Sequence, residues 1–256
     1  MTAARPATLA QHHPEPPPQR RRRQSSRAND PTGLRLSWCR QPPGRYQGLP
    51  SKEPHLKIEG VIWDMGGVIV RTEEWEHRQN WEERLDLEPG ELSRLVFDGG
   101  PSRRASVGEG TVDGIWSALA DRFHLSAAER QRLEDDFWRG DRVDYDLVEF
   151  IAELRETYRT ALLSNAWPNV RGYIEGQWSI DHAFDVIIIS AEVGLVKPDA
   201  RIYQLALEGL NLPAQACVFI DDFTRNVEGA RDIGMHAIQF ESADQIRRDL
   251  LALLPG

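Results

Sequence analysis

VIWDMGGVIV, residues 61–70, decides how the rest of the chain is read. An apolar run reaches Asp64, glycines follow at Gly66 and Gly67, and the apolar run resumes at Val68. Asp and Gly both favour turns, so a strand ending in a turn is the plainest reading. A turn accounts for one of the two glycines. It does not account for similar chemistry recurring further along the chain.

Working outward from residue 58, short apolar runs alternate with helix-like segments. IEGVIW (58–63), TALLS (160–164), DVIIIS (185–190), ACVFI (216–220) and HAIQF (236–240) read as strands. Continuous apolar runs of this kind suit parallel strands covered on both faces. Between them, residues 146–158, 168–178, 199–211 and 225–235 read as helices. The alternation predicts an α/β fold built on a doubly wound parallel sheet. One interval is too long for a single crossover. Between Val70 and about Asp144 no strand is expected, and EEWEHRQNWEERL, GELSRLVF, DGIWSALADRF and SAAERQRLEDDFW read as amphipathic helices. Trp75, Trp81, Trp116 and Trp138 are expected to anchor them. The predicted organisation is a core of residues 57–71 and 145–256, with a helical cap inserted over 72–144. An insertion there sits over the C-terminal strand ends, where open α/β sheets bind ligands.

Composition narrows the function. The chain has 256 residues, enough for one large domain or two modest ones, and 40% are apolar. The net charge of −9 argues against nucleic acid as a partner. Residues 1–56 hold ten Lys/Arg against three Asp/Glu, a charge of +7, which leaves −16 for the remainder. This basic, Pro-rich tail has almost nothing to bury and is expected to be a disordered extension; a targeting or polyanion-binding arm is the alternative. The two cysteines, Cys39 and Cys217, have no metal-ligand spacing, which fits a reducing, cytoplasmic compartment. No apolar run approaches the roughly 20 residues that span a bilayer, and no apolar signal core opens the chain. Oligomeric state leaves no mark in the sequence.

In this architecture the strand ends converge on one crevice. The first strand delivers Asp64, the second Ser164 and Asn165, the third leads to Lys197, and the fourth ends at Asp221 and Asp222. Taken singly, Asp64 and Asp221 could be turn residues, Ser164 a helix cap, and Lys197 a solvated surface lysine. Together they are a carboxylate nucleophile candidate, a hydroxyl beside a backbone amide, an ammonium and an acidic pair. A phosphoryl group cannot approach a bare carboxylate unless a cation and an ammonium first screen the repulsion.

The order and wording of WDMGGVIV, LLSNAW, SAEVGLVKPDARIY and VFIDDFTRNVEGARDIGM resemble the haloacid dehalogenase-like hydrolase superfamily over residues 58–245. Within it, the chain is similar to helical-cap members such as sugar-1-phosphate phosphatases and the phosphatase domain of soluble epoxide hydrolases. The resemblance implies that Asp64 attacks phosphorus and forms an aspartyl-phosphate. It implies that Ser164 and the backbone amide of Asn165 bind phosphoryl oxygens, and that Lys197 neutralises the charge they share with Asp64. It implies Mg²⁺ held by Asp64, the carbonyl of Gly66 and Asp222, with Asp221 and Asn226 supporting that metal. The expected substrate is a small phosphorylated metabolite.

One position departs from the family pattern. Most phosphatases of the superfamily carry a second Asp two residues after the nucleophile, as general acid and base, where this chain has Gly66. Such a group contributes roughly 10²–10⁴-fold. Glu73, Glu74 or His77 could reach in from the cap base, or could simply line a solvated helix face. A sugar-1-phosphate needs an acid less, because its anomeric leaving oxygen is less basic. Two other readings compete: a metal-free haloacid dehalogenase, and a non-catalytic regulator that binds a phosphometabolite or a protein.

Overall fold

The structure, a computed structural model, describes residues 57–254. The expectations for the tail and for Cys39 lie outside the described residues. Five strands form one parallel sheet in the order β5-β4-β1-β6-β7. They are β1 (Gly60–Trp63), β4 (Arg159–Ser164), β5 (Val186–Ile189), β6 (Cys217–Asp221) and β7 (His236–Gln239). Their registers pair Trp63 with both Leu162 and Ile220, Ser164 with Ile189, and Asp221 with Gln239. All C-terminal strand ends therefore meet along one edge.

The apolar runs explain the layers. Side chains alternate across a strand, so Val61 and Trp63 enter one core and Ile62 the other. Leu162 and Ile220 follow the first pattern, Leu163 and Phe219 the second. The first core is closed by α6 (Tyr145–Arg155) through Leu147 and Ile151, and by α11 (Ala243–Leu253) through Ile246 and Leu250. The second is closed by α9 (Ala200–Leu210) through Ile202 and Leu207, and by Ala230 of α10 (Thr224–Asp232). Burying each such aliphatic side chain stabilises the fold by about 1.5–3 kcal/mol relative to exposure.

The chain leaves the sheet after Asp64 and returns at α6. Between lie α1 (Glu76–Arg84), α2 (Glu91–Asp98), α3 (Gly100–Ser106), α4 (Val112–Phe123) and α5 (Ala127–Arg139). They share a separate apolar core that includes Trp81, Leu92, Trp116, Leu133 and Phe137. Helix α5 opens on a capping box in which Ser126 and Glu129 satisfy each other's backbone amides. The tryptophan expectation holds for half of its members: Trp81 and Trp116 are buried, whereas Trp75 and Trp138 are exposed.

The expectation of no strand between Val70 and Asp144 is overturned. β2 (Val70–Thr72) and β3 (Asp141–Val143) pair antiparallel, Val70 against Val143 and Thr72 against Asp141. Three-residue strands carry no readable period, and these two exist because the chain enters and leaves the insertion side by side. Asp141 accepts hydrogen bonds from Thr72 Oγ1 (2.7 Å) and Arg78 Nη2 (2.7 Å), and Arg71 pairs with Asp144 at 2.6 Å. The short helices of the core include α7 (Val170–Gly172) and α8 (Ser190–Val193). Among the described residues, no helix is long and apolar enough to cross a membrane.

Candidate active site

Asp64 stands at the end of the central strand, only 5% exposed. Its Oδ1 accepts the Met65 amide (2.7 Å) and the Lys197 ammonium (2.7 Å). Among the described residues, Oδ2 accepts no hydrogen bond. The loop that follows folds back sharply: the amides of Ile69 and Val70 both donate to the Met65 carbonyl (2.8 Å each), and the Gly67 amide to Val70 (2.9 Å).

The two glycines have different reasons. Gly67 has φ 81°, a left-handed conformation that favours glycine, and a Cβ there would lie 2.3 Å from Asp222 Oδ2. Gly66 has neither constraint. It is outside the left-handed region, and a Cβ there would meet nothing within 4 Å. Glycine at 66 therefore leaves open space beside Asp64 rather than relieving a clash.

Lys197 is buried between two carboxylates, 2.7 Å from Asp64 Oδ1 and 2.7 Å from Asp221 Oδ2. Burial alone would lower its pKa, but Asp64 and Asp221 outweigh burial and hold it above the usual lysine value. Asp221 is saturated, because it also accepts the Phe223 amide (2.8 Å) and the Asn226 side-chain amide (3.0 Å to each oxygen). Asp222 is not, and its Oδ1 is a buried acceptor without a hydrogen-bond partner. Ligand atoms of Asp64, Asp221 and Asp222 lie within 4.8 Å of one another. Burial and then the Asp221 charge raise Asp222 to about 7. Burial, followed by the neighbouring Asp221, likewise pushes Asp64 well above the carboxylate range, against the pull of Lys197. Three carboxylates around one ammonium leave negative charge uncompensated, and hard oxygen donors suit a small divalent cation such as Mg²⁺. The residues present fit that ion.

The structure thus brings Asp64, Lys197, Asp221, Asp222 and Asn226 into direct or adjoining contact, with Gly66 on the same loop as Asp64. Ser164 lies buried at the end of β4, next to β1. Asn165 does more than present its backbone. Its side chain donates to the Lys197 carbonyl (3.0 Å) and accepts the Lys197 amide (2.8 Å), clasping the two loops together. Sequence reasoning missed Ser190, whose buried hydroxyl accepts from Ala166 N (3.0 Å) and donates to Ala166 O (3.1 Å). It also missed Tyr203, which donates to the Asn226 carbonyl (2.8 Å). Ser190 follows the apolar run 186–189, and that position was its one legible signal. Glu73, Glu74 and His77 make no hydrogen bond or ion pair to the cluster. Glu74 pairs instead with Arg142 (2.7 Å) and lies 3.8 Å from His77.

The model of the haloacid dehalogenase-like hydrolases matches residues 58–234. Phosphatase MT3486 of Mycobacterium tuberculosis is 41% identical over 221 residues, covering 77% of this chain and 96% of that protein. D-Ribitol-5-phosphate phosphatase of Bacteroides thetaiotaomicron is 25% identical over 77% of this chain and 98% of that protein. Three further curated relatives are much longer, and the chain spans 22%, 38% and 27% of their lengths. Among solved structures, a magnesium and inorganic phosphate complex of a HAD family enzyme from B. thetaiotaomicron has the same fold, with TM-score 0.60 and 16% identity over 73% of this chain and 96% of that one. The matched span takes in Asp64, Ser164, Lys197 and the Asp221–Asp222 pair, and the chain belongs to the haloacid dehalogenase-like hydrolase family.

Proposed function

We propose that the chain is a Mg²⁺-dependent phosphatase acting on a small phosphorylated metabolite, with Asp64 as nucleophile and residues 72–144 as its cap. The observation that carries this reading is a free oxygen on Asp64 and an unpartnered, buried oxygen on Asp222 within one carboxylate cluster. Lys197 holds Oδ1 of Asp64 and leaves Oδ2 to attack phosphorus. The P–O bond to the leaving group breaks as the Asp64–phosphorus bond forms, and the departing oxygen takes a proton from water. Water then hydrolyses the aspartyl-phosphate, which releases inorganic phosphate and restores the carboxylate. Ser164 and the Asn165 amide would hold phosphoryl oxygens, and Asp221 and Asn226 would fix the cluster. Asp64, Asp222 and the Gly66 carbonyl would hold Mg²⁺, which when bound supplies the charge neutralisation that lets two anions approach.

With no acid at Gly66, the reading favours esters whose leaving oxygen is weakly basic. A sugar-1-phosphate and an aryl phosphate both satisfy this. Haloacid dehalogenation is the poorer fit, because the unpaired Asp222 would repel a carboxylate substrate. The test is phosphate release from a panel of monoesters with Mg²⁺ and with excess EDTA. Release that needs Mg²⁺ supports the reading; full turnover in EDTA sinks the metal assignment.

A further inference from the structure

Two adjoining aromatic side chains of the cap are open. Phe97 of α2 is 42% exposed and Trp138 of α5 is 37% exposed. Both rings touch Trp167, which comes from the sheet rather than the cap. Phe97 stacks on it at 5.9 Å and 28°, and Trp138 meets it edge-on at 5.8 Å. The two also touch each other at 5.9 Å. Trp167 is fixed by a hydrogen bond from its Nε1 to Ser102 Oγ (3.1 Å) in α3. It lies two residues beyond Asn165, whose side chain clasps the Lys197 backbone. The two open rings therefore pack, through the buried Trp167, against the loop that carries Ser164 and Asn165. A lone exposed ring is unremarkable on a protein surface. Two exposed rings that touch each other and share a buried third beneath them, beside a polar crevice, mark a ligand surface.

A second observation bears on the same ligand from the other end of the reaction. The space beside Gly66, where an acid would stand, is open, with nothing within 4 Å of a Cβ. A site without that acid expels a phenolic oxygen more readily than an aliphatic one. An aromatic alcohol meets both demands, with a face to stack and a weakly basic oxygen to lose.

We infer that Phe97, Trp138 and Trp167 form the subsite for the leaving group, and that the substrate is a phosphate monoester of an aromatic alcohol. The inference rests on the phosphatase reading of the site. Aromatic contacts of this kind are worth about three- to tenfold in affinity. Calorimetry in Mg²⁺ should therefore show phenylphosphonate, which cannot be hydrolysed, binding about three- to tenfold more tightly than methylphosphonate. Phe97→Ala and Trp138→Ala should each reduce that preference towards unity. Phe97→Leu should do so while keeping the apolar bulk that folding needs, and Phe97→Tyr should retain the preference. A parallel turnover assay compares phenyl phosphate with hexafluoro-2-propyl phosphate, whose leaving alcohol is of similar acidity but has no π face. Native kcat/KM should favour the phenyl ester, and Phe97→Leu should lose the advantage. Equal affinity for the two phosphonates, or a preference that survives both alanine substitutions, overturns the aromatic subsite and leaves the phosphatase reading standing. Phosphate release from neither ester overturns the phosphatase reading and the substrate assignment with it, whatever the phosphonates show.

Discussion

At the scale of single residues, chemistry is set by which carboxylate oxygens are already taken. Asp221 spends its oxygens on Lys197, Asn226 and the Phe223 amide, whereas Asp64 and Asp222 each keep one free. Asp64→Asn should abolish turnover with an unchanged melting temperature, because the amide is nearly isosteric but not nucleophilic; comparable phosphate release by the variant would refute the assignment. Asp222 carries a pH signature. Its carboxyl rises from 3.8 to about 7 on folding, so between those values the metal-free native state binds more protons than the unfolded state. The Asp222 contribution to stability is thus present at low pH and lost as pH rises through about 7. On the proposed reading Mg²⁺ displaces that proton, so the melting-temperature gain from Mg²⁺ should shrink as pH falls below about 7. Asp222→Asn should weaken the dependence and leave the part that Asp64 carries; a gain independent of pH in the native protein would contradict it. At Gly66, open space and an ordinary backbone mean that Gly66→Asp should fold normally. It should accelerate alkyl phosphates selectively, by up to about 10²–10⁴-fold. The check is the slope of log kcat/KM against leaving-group pKa, which should be steep for the native chain and flatter for the variant.

At the scale of elements, the insertion is held where it leaves the sheet. Arg78 of α1 is nearly fully buried and donates to the Phe137 carbonyl (2.9 Å) and Asp141 (2.7 Å), with its guanidinium 3.9 Å from the Phe137 ring centroid. One side chain thereby joins α1, α5 and β3. Arg78→Ala should cost up to about 3–5 kcal/mol, because it removes a buried guanidinium and leaves the half-buried Asp141 without its ion-pair partner. Urea unfolding measures the loss, and a cost below about 1 kcal/mol would show the pair to be incidental. None of this was legible beforehand. EEWEHRQNWEERL reads as an amphipathic helix anchored by Trp75 and Trp81, and only the fold reveals that Arg78 points inward.

At the scale of the whole molecule, the insertion and the sheet share a side chain. Trp167 leaves β4 just after the proposed phosphoryl site and enters the apolar core of the helices, where Ser102 accepts its indole hydrogen. Trp167→Ala should cost about 3–5 kcal/mol, as aromatic truncations in cores do. The loss should fall unevenly. Hydrogen exchange should quicken in α2, α4 and α5 while the β1 amides keep their protection. Uniform quickening would mean that sheet and helices unfold as one unit.

Five parallel strands, their order of polar termini and the inserted helices could be read from the chain alone. The reason is that strand and helix periods are local, and Asp64, Ser164 and Asp221 each stand at the end of an apolar run. Pairings between distant segments could not be read this way. The Asn165–Lys197 clasp, the Ser190 bridge to Ala166, the β2–β3 ribbon and the seat of Trp167 each join residues that no local pattern relates. The same limit explains Trp75 and Trp138. Amphipathic spacing marked them as apolar positions, but whether an apolar ring is covered depends on what packs against it, and that was decided only when the helices closed on one another and on the sheet.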